Sequence, residues 1–139
     1  MEDLWKIVPE FVQFKDLSLE EKPLFETLFN LFPPVISEFT FTNLFIWRHA
    51  YQLKISRLKN FLCLLSDQGK NSFFFPPVGE GDMIECSRIL LQYLKEQGAH
   101  PKIVRVPEAV VAKMDWKAEI FIAELDRAQS DYIYLTEDL

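Results

Sequence analysis

Pro76, Pro77, Gly79 and Gly81 fall within six residues, between the apolar run Phe73-Phe74-Phe75 and a stretch of helical spacing that begins near Met83. Neither regular element crosses such a segment, because proline lacks the backbone donor and glycine weakens helix and strand alike. The chain therefore reads there as strand, break, turn and helix. A strand that opens through a Gly-x-Gly turn into a helix aims backbone N–H groups at one point, which suits an anion. Here that point also carries Glu80 and Asp82. Two readings stay open: Gly79 and Gly81 admit a phosphate, or they serve a turn that only glycine can make.

The rest of the chain is read outward from this break. Phe11 to Phe14 alternates as a short strand. Ser18-Leu19-Glu20-Glu21 has the form of a capping box, and Leu24, Phe25, Leu28, Phe29, Leu31 and Phe32 follow at helical spacing. Pro23 conflicts with a helix counted from Ser18, so the helix is either strained there or starts later. Pro33-Pro34 ends it. Thr40 or Thr42 caps a second helix running to about Ala50, apolar nearly all round and so expected to be covered on most sides.

Three strands in quick succession follow: 53–58, 61–65 and 72–75. The second is apolar on both faces, as a central strand is. After Gly81 a helix runs to about Gln97, with Gly98 as its C-terminal cap. Lys102 to Val106 is a strand, Pro107 opens a short helix to about Met114, and 119–124 and 131–135 are closing strands. This order predicts an α/β (α+β) fold: a mixed, mostly antiparallel sheet of about six to seven strands with helices on both faces. The order looks like the GNAT acyltransferase fold, in which the turn after the fourth strand holds the pyrophosphate of an acyl-CoA.

The chain has 139 residues, one ordinary domain's worth, with 49% hydrophobic residues and 13 Phe. A chain of this size buries roughly two thirds of its unfolded surface and needs no staples. A net charge of −6 gives no overall attraction to DNA or anionic lipid. The N-terminus lacks a secretory pattern, and the apolar runs are too short to span a bilayer. Cys63 and Cys86 sit among apolar neighbours and read as reduced and buried, which points to the cytoplasm.

Ser37-Glu38-Phe39-Thr40-Phe41-Thr42-Asn43-Leu44-Phe45-Ile46-Trp47-Arg48, Phe73 to Asp82, Glu124-Leu125-Asp126-Arg127 and Asp131 to Leu139 resemble segments of the phosphatidylglycerol lysyltransferase C-terminal domain-like family of bacteria. The resemblance runs from about Phe11 to Leu139. It implies two GNAT-like halves in tandem, with residues 1–139 as the first. The best-known relatives pass an aminoacyl group from charged tRNA to a lipid head group in a tunnel between the halves. It thus implies a second half as partner, tRNA or a lipid head group as further partners, and aminoacyl-tRNA or acetyl-CoA as the donor. It also adds the inner face of the membrane to the cytoplasm as a place of work. The alternatives are a stand-alone acetyl-CoA-dependent N-acetyltransferase and a half with a purely structural role.

The candidate site residues are Gly79 and Gly81 for a cofactor, and Trp47 and Arg48 for substrate; no catalytic residue stands out. Aromatics from Phe39 to Tyr51 either line a tunnel or fill the core. Arg48, Lys54, Arg57 and Lys59 form either a basic patch or solvated surface. Glu124, Asp126 and Asp131 either hold a substrate ammonium or lie on a rim. His49 and His100 have no partner at metal-ligand spacing.

Overall fold

The computed structural model describes residues 2–33, 40–106, 121–125 and 131–135. In chain order it contains α1 (Glu2–Trp5), β1 (Lys15–Asp16), a 3-10 turn (Leu19–Glu21), α2 (Lys22–Leu31), α3 (Phe41–Trp47), β2 (Leu53–Leu58), β3 (Phe61–Ser66), β4 (Phe73–Phe74), β5 (Val78–Gly79), α4 (Met83–Glu96), β6 (Lys102–Val106), β7 (Phe121–Leu125) and β8 (Asp131–Leu135). One sheet runs β1-β2-β3-β4-β6-β8-β7, with β5 also on β3. All pairings are antiparallel except β4 with β6. The fold is the predicted mixed, mostly antiparallel sheet with helices on both faces.

The side-chain period of two divides the core. Leu62 and Leu64 of β3 face α2 and α3, joining Leu53, Ile55, Leu24, Phe25, Leu28, Phe41 and Leu44. Phe61, Cys63 and Leu65 face α4, joining Phe74, Cys86, Leu90, Leu91, Leu94 and Ile103. β3 is buried at every position, as its unbroken apolar run predicts. Each such Leu or Phe contributes roughly 1.5–3 kcal/mol through burial.

The strand after β3 is interrupted. β4 pairs with Leu65 and Ser66, β5 with Phe61 and Leu62, and both lie end to end along the same edge of β3. Pro76 and Pro77 fall in the gap. The predicted strand 72–75 is thus two short pieces, shorter at the start and resumed beyond the prolines. The parallel register with β6 holds only Phe74 opposite Ile103.

Several local expectations are corrected. The alternating segment 11–14 is not a strand; β1 lies at Lys15–Asp16. Phe11 and Phe14 both turn toward Tyr93, with ring centroids 5.2 and 5.5 Å away. Residues three apart do not share a face of a strand. Ser18 does enter a capping box, but with a 3-10 turn. Glu21 Oε1 accepts from Ser18 N at 2.7 Å, and Glu21 Oε2 accepts from Ser18 Oγ at 2.8 Å. The α-helix starts at Lys22, which puts Pro23 in the first turn, where no donor is wanted. Glu21 is fully buried and ion-paired with Lys15 at 2.8 Å, which ties the turn to β1.

Thr40 caps α3, accepting from Asn43 N at 3.1 Å, but the helix ends at Trp47 rather than Ala50. It is not covered on most sides: Ile46 is 65% exposed. Of the predicted strand 119–124, residues 121–124 are in β7, which runs on to Leu125, and 119 and 120 lie outside the described residues; α1 is an element that the sequence pattern does not predict. The predicted helix from Pro107 lies outside the described residues.

Candidate functional site

The break between β4 and α4 forms an open recess of about 110 Å³, walled by Leu58–Phe61 on one side and by Glu80–Asp82, Glu85, Cys86 and Ile89 on the other. The two hairpin residues at its mouth, Lys59 and Asn60, join β2 to β3, with Lys59 in the left-handed region at φ 56°. Both candidate glycines pack against this hairpin. A Cβ on Gly79 would stand 2.0 Å from the Asn60 carbonyl oxygen, and one on Gly81 would stand 3.1 Å from the Phe61 ring. Their φ values of 154° and 142° also favour glycine. Close packing alone therefore accounts for both residues.

The helix end above the recess is already capped. The Asp82 carboxylate accepts from Glu85 N at 3.0 Å, and the Glu85 carboxylate accepts from Arg88 at 2.9 Å. Glu80, Asp82 and Glu85 face the recess with Lys59 as counter-charge. A carboxylate about 5 Å from a phosphate repels it by roughly 1 kcal/mol even in water. The electrostatics of the recess thus suit a neutral or cationic group better than a pyrophosphate.

The second candidate pair lies elsewhere. Trp47 packs edge-on against Tyr51 at 6.3 Å, Tyr51 against Phe73 at 6.5 Å, and Phe73 against Phe75 at 5.4 Å. The Lys102 ammonium stands 5.8 Å from the Phe73 ring. Arg48 folds back on its own helix: the guanidinium lies 3.6 Å over the Phe45 ring and donates to the Phe45 carbonyl. The Tyr51 carbonyl accepts from Ser66 Oγ at 2.6 Å, at one end of β3. Gly79 pairs with Phe61 at the other end. The two candidate groups are therefore separated by the length of β3, about 16 Å at 3.3 Å per residue.

The remaining cations do not gather into a patch. Lys54 is ion-paired with Asp67 at 2.8 Å. That bond raises its pKa above the ordinary value. Arg57 bonds Glu2 at 3.2 Å and lies 4.6 Å over the Trp5 ring. Of the candidate aromatics, Phe41 is core, Phe45, Trp47 and Tyr51 are half-buried, and Phe39 lies outside the described residues. Glu124 and Asp131 are in β7 and β8, on paired neighbouring strands; Asp126 is outside the described residues. Among the described residues no cluster of His, Cys, Asp and Glu is arranged to hold a metal ion, and no helix is long and apolar enough to cross a membrane.

Sequence reasoning did not anticipate the hairpin residues Lys59 and Asn60 as a wall of the recess.

Residues 29–139 match the family described as phosphatidylglycerol lysyltransferase, C-terminal. A crystal structure of a conserved protein of unknown function from Bacteroides thetaiotaomicron has the same fold, with a TM-score of 0.75 and 24% identity over 85% of this chain. This chain spans 40% of that protein's length. No curated protein matches.

Proposed function

Because the chain belongs to the phosphatidylglycerol lysyltransferase C-terminal family, we propose that it is the first GNAT-like half of a protein that transfers an acyl or aminoacyl group. In this reading it forms one wall of a substrate tunnel and packs on a second half. The family match over residues 29–139 carries the reading. The Trp47–Tyr51–Phe73 row and Arg48 would line the tunnel wall. The donor would be aminoacyl-tRNA and the acceptor a lipid head group. The test is label transfer by the natural protein, at the length its gene encodes, from charged tRNA to phosphatidylglycerol vesicles. Transfer above background supports the reading, and its absence with every aminoacyl-tRNA tried overturns it.

One observation favours a second reading, an acetyl-CoA-dependent N-acetyltransferase with Gly79 and Gly81 at the cofactor. The parallel strands part beyond Phe74 and Ile103, and the chain after the prolines turns back to β3. In this reading a pantetheine arm would lie where the two strands part, although Pro76 and Pro77 remove two backbone donors from that edge. Thermal unfolding with acetyl-CoA and, separately, acetyl-pantetheine distinguishes the two readings. Specific binding at a hundred times Kd adds about 2.7 kcal/mol, a rise of a few degrees for a domain of this size. A rise with both ligands favours the second reading. A rise with acetyl-CoA alone does too, and shows that binding needs the nucleotide and pyrophosphate. No rise with either removes the second reading and leaves the first.

A further inference from the structure

Residues 9–13 are pinned to β2. The Phe11 N–H donates to the Arg57 carbonyl at 2.8 Å, the Arg57 N–H donates to the Pro9 carbonyl at 2.9 Å, and Ser56 Oγ donates to the Gln13 carbonyl at 2.7 Å. The segment so fixed forms one bank of an open, mostly apolar groove of about 280 Å³, and α4 forms the other with Arg88, Ile89, Gln92, Tyr93 and Glu96. Phe11 meets Tyr93 ring to ring at 5.2 Å, whereas Val12 on the same bank is 61% exposed. A lone exposed valine is ordinary on a surface, but one that borders a preformed apolar groove marks a contact surface. Ile89 also lines the recess beside Gly81, and Phe11 also lines the hollow against Lys59 and Asn60, so the three depressions share walls. Glu10, Glu80 and Glu96 border them and are exposed. Among the described residues none of these three carboxylates is in an ion pair, whereas Arg57 is paired with Glu2 and Arg88 with Glu85. Lys59 offsets one of the three, and the surface stays negative.

We propose that this groove docks a basic amphipathic helix of a partner protein, which lies along α4 with its apolar face between Val12 and Ile89 and its lysines or arginines toward Glu96, Glu10 and Glu80. From Glu85 to Glu96 the bank formed by α4 is about 16 Å long at 1.5 Å per residue, which matches about three turns of an incoming helix. Its outer residues recur every three or four positions and offer ridges for a second helix to pack on. An apolar stripe set in a groove with charges at the rim is the usual way a helix is recognised. The same carboxylates repel nucleic acid and anionic lipid. A second copy of the chain, at a net charge of −6, is repelled in the same way. A purely apolar helix would cover carboxylates without offering them a partner, which is costly. The groove lies on the α4 side of the sheet, while Trp47, Tyr51 and Phe73 pack with the core on the other side, so the proposal does not rest on the transfer reading.

The probe is a synthetic helical peptide of about 11 residues, or three turns, with leucine along one face and lysine along the other, one photoreactive leucine and a fluorophore. It is titrated into the natural protein, at the length its gene encodes, by fluorescence anisotropy, then cross-linked by light and mapped. The expected result is saturable binding that weakens as salt is added, with cross-links confined to residues 10–12 and 88–96. Val12→Asp should lower the affinity at least about tenfold. Glu96→Lys should lower it several-fold and flatten the salt dependence, and a peptide with glutamate in place of lysine should prefer Glu96→Lys to the parent. Both positions are exposed, so neither change disturbs the core; the parent's cross-link map decides the question whether or not the variants fold. The proposal fails if the lysine peptide does not bind saturably, if its cross-links fall elsewhere, or if the glutamate peptide binds the parent equally well. It fails too if tRNA or anionic vesicles shield residues 10–12 and 88–96 from cross-linking, since the occupant would then be of another class.

Discussion

At the scale of single residues, the two glycines with positive φ that matter most are unlike each other. Gly79 is hemmed in by the Asn60 carbonyl, whereas a Cβ on Gly98, at φ 81°, would meet nothing within 4 Å. Gly98→Ala should cost about 1 kcal/mol, the penalty of the left-handed region alone. Gly79→Ala carries backbone strain of roughly 1–3 kcal/mol and must also move the hairpin, so it should be the worse of the two in urea unfolding. Equal losses would mean that the hairpin yields freely. Thr40 and Gly98 were legible as caps because their signals are local. Glu21 was legible as a capping partner but not as a buried charge. Its burial depends on Lys15 and on the cover supplied by the chain between β1 and α2, which no short window of sequence reports.

Among elements, long periodic stretches were read correctly and short ones were not. The sequence positions of β2, β6, β8 and α4 follow from pattern alone, since each has enough residues to establish a period. β1, with two residues, is defined by its pairing to β2 and not by any pattern of its own. The segment before it alternates like a strand, but Phe11 and Phe14 reach the same aromatic cluster around Tyr93, and tertiary packing prevails over local pattern. The break at Pro76 and Pro77 was visible in the residues. That the strand resumes on the same edge of β3 was not, because strand partners are distant in sequence. α4 offers a measurable check at this scale. Leu91 is fully buried, while its neighbour Gln92 is exposed. Leu91→Ala should destabilise by about 2–5 kcal/mol, and Gln92→Ala should stay within about 0.5 kcal/mol. Chemical denaturation of the pair reads both, and similar values for the two would contradict the helix orientation.

For the molecule as a whole, fold class was readable because helices and strands alternate in an order that admits few architectures. The candidate site was less readable. Its two residue pairs lie beside opposite ends of β3, and only the folded sheet reveals that separation. Ionisation gives a whole-molecule prediction. Burial raises the Tyr93 phenol above its ordinary value of 10.0, and the bond to Cys86 together with burial raises the Cys63 thiol above 9.0. Each folded-state pKa exceeds the unfolded one, so the folded chain holds these protons more tightly. Their stabilising contribution is complete below the unfolded values and disappears as pH climbs through the folded ones. Urea midpoints should therefore be level through neutrality and fall above about pH 9. Cys63→Ala should remove part of that fall, and an unchanged alkaline slope would count against the linkage.

β3 gives its even-numbered residues to the core beneath α2 and α3 and its odd-numbered ones to the core beneath α4. The two cores thus share a party wall one residue thick. Loss of that wall would open both rooms together. β6 repeats the arrangement, with Val104 on one side and Ile103 on the other, so a disturbance felt by the helices on one side of the sheet passes to the other through shared strands.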